Sequence, residues 1–232
     1  MADSDLPTLL LFPTDLERVG VGDAGGNRSG AALTEICGFG PVAAGARAAQ
    51  LLSRIRPGRV ILVGIAGTYD ERRLPIGAAA AFDEVVLDGV GAGQGASFRD
   101  AAALGFAHWP GSDDTCRDPV RERLLLDPLP GSDSASAHRL LVTTCAASAA
   151  PSEAAARRDT YQDALAEDME AFSVALACAL HRVPVSVVRG ISNVAGDRQR
   201  SNWKVEKALR EAARLLEDVL ERNTPDSETR PR

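Results

Sequence analysis

Aromatic residues make up only 4% of the 232 positions, so the interior has to be built from Ala, Val, Leu and Ile. That suits helices layered on near-continuous apolar strands. Basic residues are also scarce: 26 Lys and Arg against 32 Asp and Glu give a net charge of -6. No basic stripe is available to neutralise phosphates, which argues against a nucleic-acid partner. No uninterrupted apolar stretch reaches the ~18 residues of a membrane span, and no basic region precedes an apolar segment near Met1, so neither a membrane helix nor a secretory signal is expected. The four cysteines (Cys37, Cys116, Cys145, Cys178) lack paired spacing, and His108, His138 and His181 stand far apart, so no metal site is expected. A cytoplasmic protein with reduced thiols fits this pattern. Gly 21 and Pro 13 are too few for a collagen-like or low-complexity chain, and the length favours one domain.

Short apolar runs alternate with longer Ala-rich runs, the pattern of an α/β fold in which helices wrap strands. Strands are expected at Thr8–Phe12, Leu33–Phe39, Arg59–Val63, Asp83–Leu87, Leu140–Thr144 and Val185–Ile191. Helices are expected at Val42–Ile55, Ala171–Arg182 and Trp203–Arg222, the second apolar almost all round and therefore buried, the third amphipathic. Residues 223–232 carry two prolines and nothing apolar to bury, so the domain should end near 222, followed by a disordered tail. Glycine-rich stretches at Val19–Gly30, Gly64–Gly67 and Gly89–Gly95 read as loops, and the first of them as a surface excursion.

Gly38-Phe39-Gly40-Pro41-Val42-Ala43 matches a G-x-G-x-x-A dinucleotide fingerprint. The acidic partner about 20 residues on is absent, and Pro41 removes an amide a pyrophosphate would need. A tight strand-to-helix turn is the better reading, and no cofactor is expected. More specific is a set of segments in fixed order: Pro13-Thr14-Asp15-Leu16-Glu17, the glycine turn, Val63-Gly64-Ile65-Ala66-Gly67, Glu167-Asp168-Met169-Glu170-Ala171 and Val188-Arg189-Gly190-Ile191-Ser192-Asn193. Together they resemble the purine nucleoside phosphorylase and nucleosidase superfamily, over about residues 8 to 215. The nucleosidase branch is the nearer. Within it, Asn193 to Arg198, Trp203 and Asp88-Gly89 look more like the futalosine hydrolases of menaquinone biosynthesis than like the methylthioadenosine/S-adenosylhomocysteine nucleosidases.

The resemblance implies a single-domain, three-layer fold with a central mixed, twisted sheet flanked by helices, a small-molecule nucleoside as partner, and a homo-oligomer, dimer or higher. The implied reaction is hydrolysis of the N-glycosidic bond of futalosine, releasing hypoxanthine. Nucleoside phosphorolysis, methylthioadenosine-type hydrolysis and silent nucleoside binding stay open as alternatives. The chemistry passes through an oxocarbenium-like sugar and asks for a water activator, a carboxylate on the ribose hydroxyls and a group receiving the departing base. By resemblance these are Glu17, Glu170 and Asn193. Glu170 opens the buried helix, where orphan amides and the helix dipole should hold it ionised. Asn193 stands where the adenosine-type enzymes have aspartate, and its amide suits a 6-oxopurine. The change leaves no strong acid at the leaving group, so Asp197 or water is expected to complete proton transfer. Met169 should lie on the sugar, Ala66 and Gly67 should offer backbone amides, and Phe98 and Trp203 should close over the 5′ substituent. An arginine should meet that substituent's carboxylate, with Arg72, Arg73, Arg99, Arg198 and Arg200 all eligible. Cys145 to Ala156 lacks the aromatic that stacks on the base in related nucleosidases.

Overall fold

The computed structural model describes residues 6–25, 32–111, 118–130 and 138–222; Gly26, Gly30, Cys116 and the expected tail lie outside the described residues. The chain runs β1 (Thr8–Phe12), α1 (Asp15–Gly25), β2 (Ala32–Ile36), α2 (Pro41–Ile55), β3 (Arg59–Thr68), β4 (Ala79–Phe82), β5 (Glu84–Leu87), β6 (Gly91–Ala92) and β7 (Arg99–Asp100). It continues with β8 (Arg123–Leu125), β9 (Leu140–Thr143), α3 (Pro151–Thr160), β10 (Ala164–Asp168), α4 (Ala171–His181), β11 (Val185–Val194) and α5 (Val205–Arg222).

Among the described residues nine strands form one mixed sheet in the order β2-β1-β3-β10-β9-β5-β8, with β11 on β3 and β4 on β11; β6 and β7 make a separate hairpin. Alternate residues of each strand face opposite layers. In β1, Leu9 and Leu11 join α2 and α4, whereas Leu10 and Phe12 join α1 and α5. Val85 and Leu141 likewise face α4, and their neighbours Val86, Leu140 and Val142 meet Ala154 of α3. The three layers expected from the resemblance are present. Each fully buried Leu or Val contributes about 1.5–3 kcal/mol of burial, so aliphatic layers suffice without aromatic mass.

Helix ends follow local chemistry. Pro41 begins α2, where its missing N–H costs nothing, and Arg56 ends it in the left-handed region with its N–H on Leu52 O at 3.0 Å. The amphipathic reading of α5 holds: Ala208, Leu209, Ala212, Ala213 and Leu216 are its buried stripe. Among the described residues no helix is long and apolar enough to cross a membrane.

Several boundaries differ from the sequence reading. The stretch from Val19 is helical to Gly25, not a surface loop, because α1 packs on α5 with Leu209 against Gly20. β3 does not stop at Val63; Gly64 to Gly67 stay paired with β11, as far as Thr68. β2 ends at Ile36, ahead of the turn in which Gly38 and Gly40 take φ of 96° and 81°. The helix expected from Trp203 begins at Val205. β1, β3 and β11 run parallel, while β10 meets the far end of β3 antiparallel, so Gly67 pairs with both Glu167 and Asn193. The carboxyl ends of four strands therefore converge.

Candidate active site

Thr14-Asp15-Leu16-Glu17 is a Thr-x-x-Glu helix start, and the side chains use it. Thr14 Oγ1 donates to Glu17 Oε2 at 2.7 Å, and the Ile65 amide of β3 donates to Oε1 at 3.1 Å. Glu17 is thus buried in the first turn of α1, neither at the strand end nor in an exposed loop. Burial pushes its carboxyl above the ordinary value, against the pull of Arg189, Thr14 and Ile65.

Arg189 organises the centre; no motif assigns it a role, but a charge inside Val185-Ser186-Val187-Val188-Arg189-Gly190-Ile191 is the signal that marks it. It is fully buried. Its Nε and Nη2 donate to Asp168 Oδ2, the former at 3.1 Å, and Nη2 lies 3.6 Å from Glu170 Oε2. Asp168 also accepts from Thr143 Oγ1 at 2.6 Å and from the Ala171 amide at 2.9 Å. Arg189 pairs across the sheet with Gly64, and this residue type makes room: a Cβ there would sit 2.3 Å from Arg189 Nη1 and 2.6 Å from Glu17 Oε1. Nη1 is buried without a hydrogen-bond partner among the described residues.

Glu170 occupies the N-cap position of α4, yet its side chain makes no cap bond; Asp168 caps the helix. Glu170 Oε1 instead accepts from the Gly40 amide at 3.0 Å, so the glycine turn serves the protein's own carboxylate. The expectation that helix amides hold Glu170 ionised is corrected. Burial raises its carboxyl to about 7, with the charges of Asp168 and Glu17 adding to the rise and Arg189 and Gly40 opposing it. Burial also pushes the nearby Cys37 thiol up to about 12, which keeps it inert.

Asn193 lies inside β11, where the register shifts between Ile191 and Asn193; such a bulge re-aims a side chain. Its Nδ2 donates to Val194 O at 2.8 Å, and its Oδ1 accepts from Ser192 Oγ at 2.7 Å. A carbonyl only accepts, so the Val194 contact fixes which way the amide faces. One N–H and one lone pair remain for a ligand.

The other candidates divide. Ala66 and Gly67 are buried in β3 beside β11, with Ala66 O accepting from Ser192 Oγ at 3.3 Å, so they lie within the ladder and not at an open edge. Met169 is half-buried between Asp168 and Glu170. Asp197, Arg198 and Trp203 form their own cluster after β11: Trp203 Nε1 donates to Asp197 O at 3.0 Å, and the Arg198 guanidinium stands 5.3 Å from the indole centroid. Asp197 spends its carboxylate on its own turn. Its carboxylate is tied by Asn202 Nδ2 and the Gln199 amide, both at 2.8 Å, which hold it below the usual range. Phe98 is half-buried and leads into β7 of the β6–β7 hairpin. Glu84, His138 and Asp163 have ligand-type atoms within 4.8 Å of one another, but Arg123 Nη1 already lies 2.9 and 3.0 Å from the two carboxylates.

A futalosine hydrolase of Streptomyces coelicolor is 45% identical over 71 residues, 29% of this chain and 30% of that protein, so the match spans under a third of the relative. A 5′-methylthioadenosine/S-adenosylhomocysteine nucleosidase of Psychromonas ingrahamii is 26% identical over 189 residues, 79% of this chain and 78% of that protein. The solved futalosine hydrolase of Helicobacter pylori strain 26695 superposes with a TM-score of 0.72 at 15% identity, covering 95% of this chain and 100% of that one, a likeness of fold. The model of the phosphorylase superfamily matches residues 22–222, most of the chain, and the protein belongs to that superfamily.

Proposed function

We propose that the protein is an N-ribosyl hydrolase and that its substrate is futalosine, cleaved to hypoxanthine. The observation that carries the hydrolytic reading is the pair of buried, proton-avid carboxylates, Glu17 and Glu170, flanking one guanidinium. Glu17 takes the proton of the attacking water, with Arg189 Nη1 opposite as a donor to the water oxygen. Glu170 accepts from the ribose hydroxyls. The water oxygen bonds to the first carbon of the sugar, the bond to the purine breaks, and its electron pair leaves with the base. The free N–H of Asn193 meets the six-oxygen, and its Oδ1 receives the ring N–H. Proton transfer to the base runs through water, Asp197 being committed to its own turn.

The relatives support a nucleosidase of either the futalosine or the methylthioadenosine kind, and Asn193 favours the first. Phosphorolysis is the poorer reading, because two carboxylates beside Arg189 repel a phosphate dianion. Incubation with futalosine, inosine and methylthioadenosine, with and without phosphate, separates these: futalosine hydrolysis independent of phosphate is expected, and strict phosphate dependence refutes it. We also infer a homo-oligomer, because Leu16, Phe39 and Val42, exposed by 61, 67 and 83%, adjoin Glu17 and the Gly40 turn in sequence. A monomeric mass in solution refutes that.

A further inference from the structure

Residues 144–150, Thr-Cys-Ala-Ala-Ser-Ala-Ala, join β9 to α3 with hardly a side chain large enough to anchor them. The loop leaves β9 with the Thr144 amide on Asp168 O at 2.9 Å. It ends against the segment after Asn193: a Cβ on Gly196 would lie 2.6 Å from Ala150 O. It therefore runs from the Asp168–Glu170 turn to the end of β11 that carries Asn193.

What holds the loop is charge. Glu167 is buried and the mechanism does not use it; Oε1 accepts from the Ser148 amide at 2.7 Å, and Oε2 accepts from Ser148 Oγ at 2.6 Å and from Tyr69 OH at 3.0 Å. Arg157 grips the same loop, donating to Ser148 Oγ at 2.6 Å and to Ala146 O at 2.9 Å, and is itself held by Asp88 Oδ2 at 2.8 Å. Glu153 Oε2 takes the Ala149 amide at 2.7 Å. Glu167 and Asp168 are successive residues of β10 and so point to opposite faces: one is spent on the loop, the other on Arg189.

We propose that Glu167 is a positioning residue: by holding Ser148 it fixes the β9–α3 loop as the wall of the nucleoside site that faces the base. The inference rests on the nucleosidase reading. A loop of such small side chains has little packing to define it, so its backbone presents a constant surface to a planar ligand when polar partners pin it, as Glu167, Arg157 and Glu153 do. Asp88, at the end of β5, takes part at one remove through Arg157.

The test compares Glu167→Gln, Ser148→Ala and a destabilised control, Leu216→Ala in the α5 layer. For each, kcat and KM are measured with the nucleoside the wild type cleaves best, the dissociation constant of free hypoxanthine and of free adenine by calorimetry, and Tm. Glu167→Gln is expected to raise KM and the constant for the bound base together by about tenfold, with kcat within about threefold of wild type. Ser148→Ala keeps the backbone bond to Glu167 and should move the same two constants by about threefold, which preserves the test if Glu167→Gln does not fold. Leu216→Ala should lower Tm and leave both constants alone. Unchanged base affinity in both loop variants, or an equal rise in the control, overturns the proposal while the nucleosidase reading stands. A wild type that neither cleaves a nucleoside nor binds either base overturns both.

Discussion

Replacing Asn193 by Asp tests the substrate reading at a single atom. Nδ2 now donates to Val194 O at 2.8 Å, and an aspartate places an oxygen there instead. Two acceptors at that distance in a buried site repel, so the new carboxyl is expected to hold its proton well above the ordinary aspartate value and to donate it to Val194. The N–H proposed to meet the six-oxygen of the base is then gone. A buried polar group left unpaired costs about 1–3 kcal/mol, so kcat/KM for futalosine should fall about 5- to 150-fold. An adenine nucleoside loses no such bond and gains an acceptor for its amino group, so the ratio of kcat/KM for futalosine over methylthioadenosine should drop by about two orders of magnitude. The gain for adenine should fade as pH rises, because the ionised form faces both Val194 O and the ring nitrogen. Measuring that ratio in both proteins at pH 6 and pH 8 is the assay. A ratio unchanged within threefold refutes the role given to Asn193.

Glu17→Gln should fold normally and bind hypoxanthine but lose about 10²- to 10⁴-fold in kcat, the range for removing a general base; activity within a few-fold of wild type removes Glu17 from the mechanism. For the wild type, log kcat/KM should climb between pH 5 and pH 8 as Glu17 and Glu170, whose carboxyls are raised, the latter to about 7, lose their protons; a flat profile contradicts both roles. Glu170 binds its proton more tightly folded than unfolded, so its contribution to stability is complete below the ordinary value of 4.5 and is lost as pH rises through about 7. Glu170→Gln should therefore raise Tm relative to wild type at pH 8 and not at pH 4.5, and an equal shift at both sinks the argument. Gly64→Ala forces a methyl against Arg189 Nη1 and Glu17 Oε1, and should cost about 1–3 kcal/mol in urea unfolding along with most activity; a fully active, equally stable variant contradicts the packing.

The elements that could be read from the chain were those whose own residues decide them. α2 begins at a proline, α4 is apolar almost throughout, and α5 keeps a helical stripe, so each lies within two residues of the bounds its sequence predicts. α1 escaped because Gly20, Gly22 and Gly25 weaken it locally, and it is held by tertiary contact with α5. β10, five residues ending in charges, lacks any alternation to mark it. Gly64 to Gly67 read as a loop because glycine usually does, whereas here Gly64 serves to admit a guanidinium. In the site, the order of segments pointed to Glu17, Glu170 and Asn193, but no periodicity could reveal that Asp197 closes its own turn or that Glu167 grips a loop 19 residues back.

The raised carboxyls also bear on how the site works. Glu17, Asp168 and Glu170 are buried around one guanidinium, so with every group ionised the cluster carries more negative charge than positive, in surroundings where water screens little. Burial, with the neighbouring charges of Asp168 and Glu17 adding to it against the pull of Arg189, is what makes Glu170 hold its proton to about 7. A proton is one way to relieve the excess negative charge, and a cationic sugar is another. In the proposed reaction, as the bond to the base stretches, positive charge grows on the ribose, where the cluster's negative potential favours it without any group having to move. A neutral nucleoside in the ground state gains little from the same potential, so the interaction strengthens on the way to the transition state, which is the condition for a charge to accelerate a reaction and not merely bind its substrate. A phosphate dianion entering the same place would meet the potential with the wrong sign. The arrangement thus favours water as the nucleophile and an oxocarbenium-like sugar as the species it is built around.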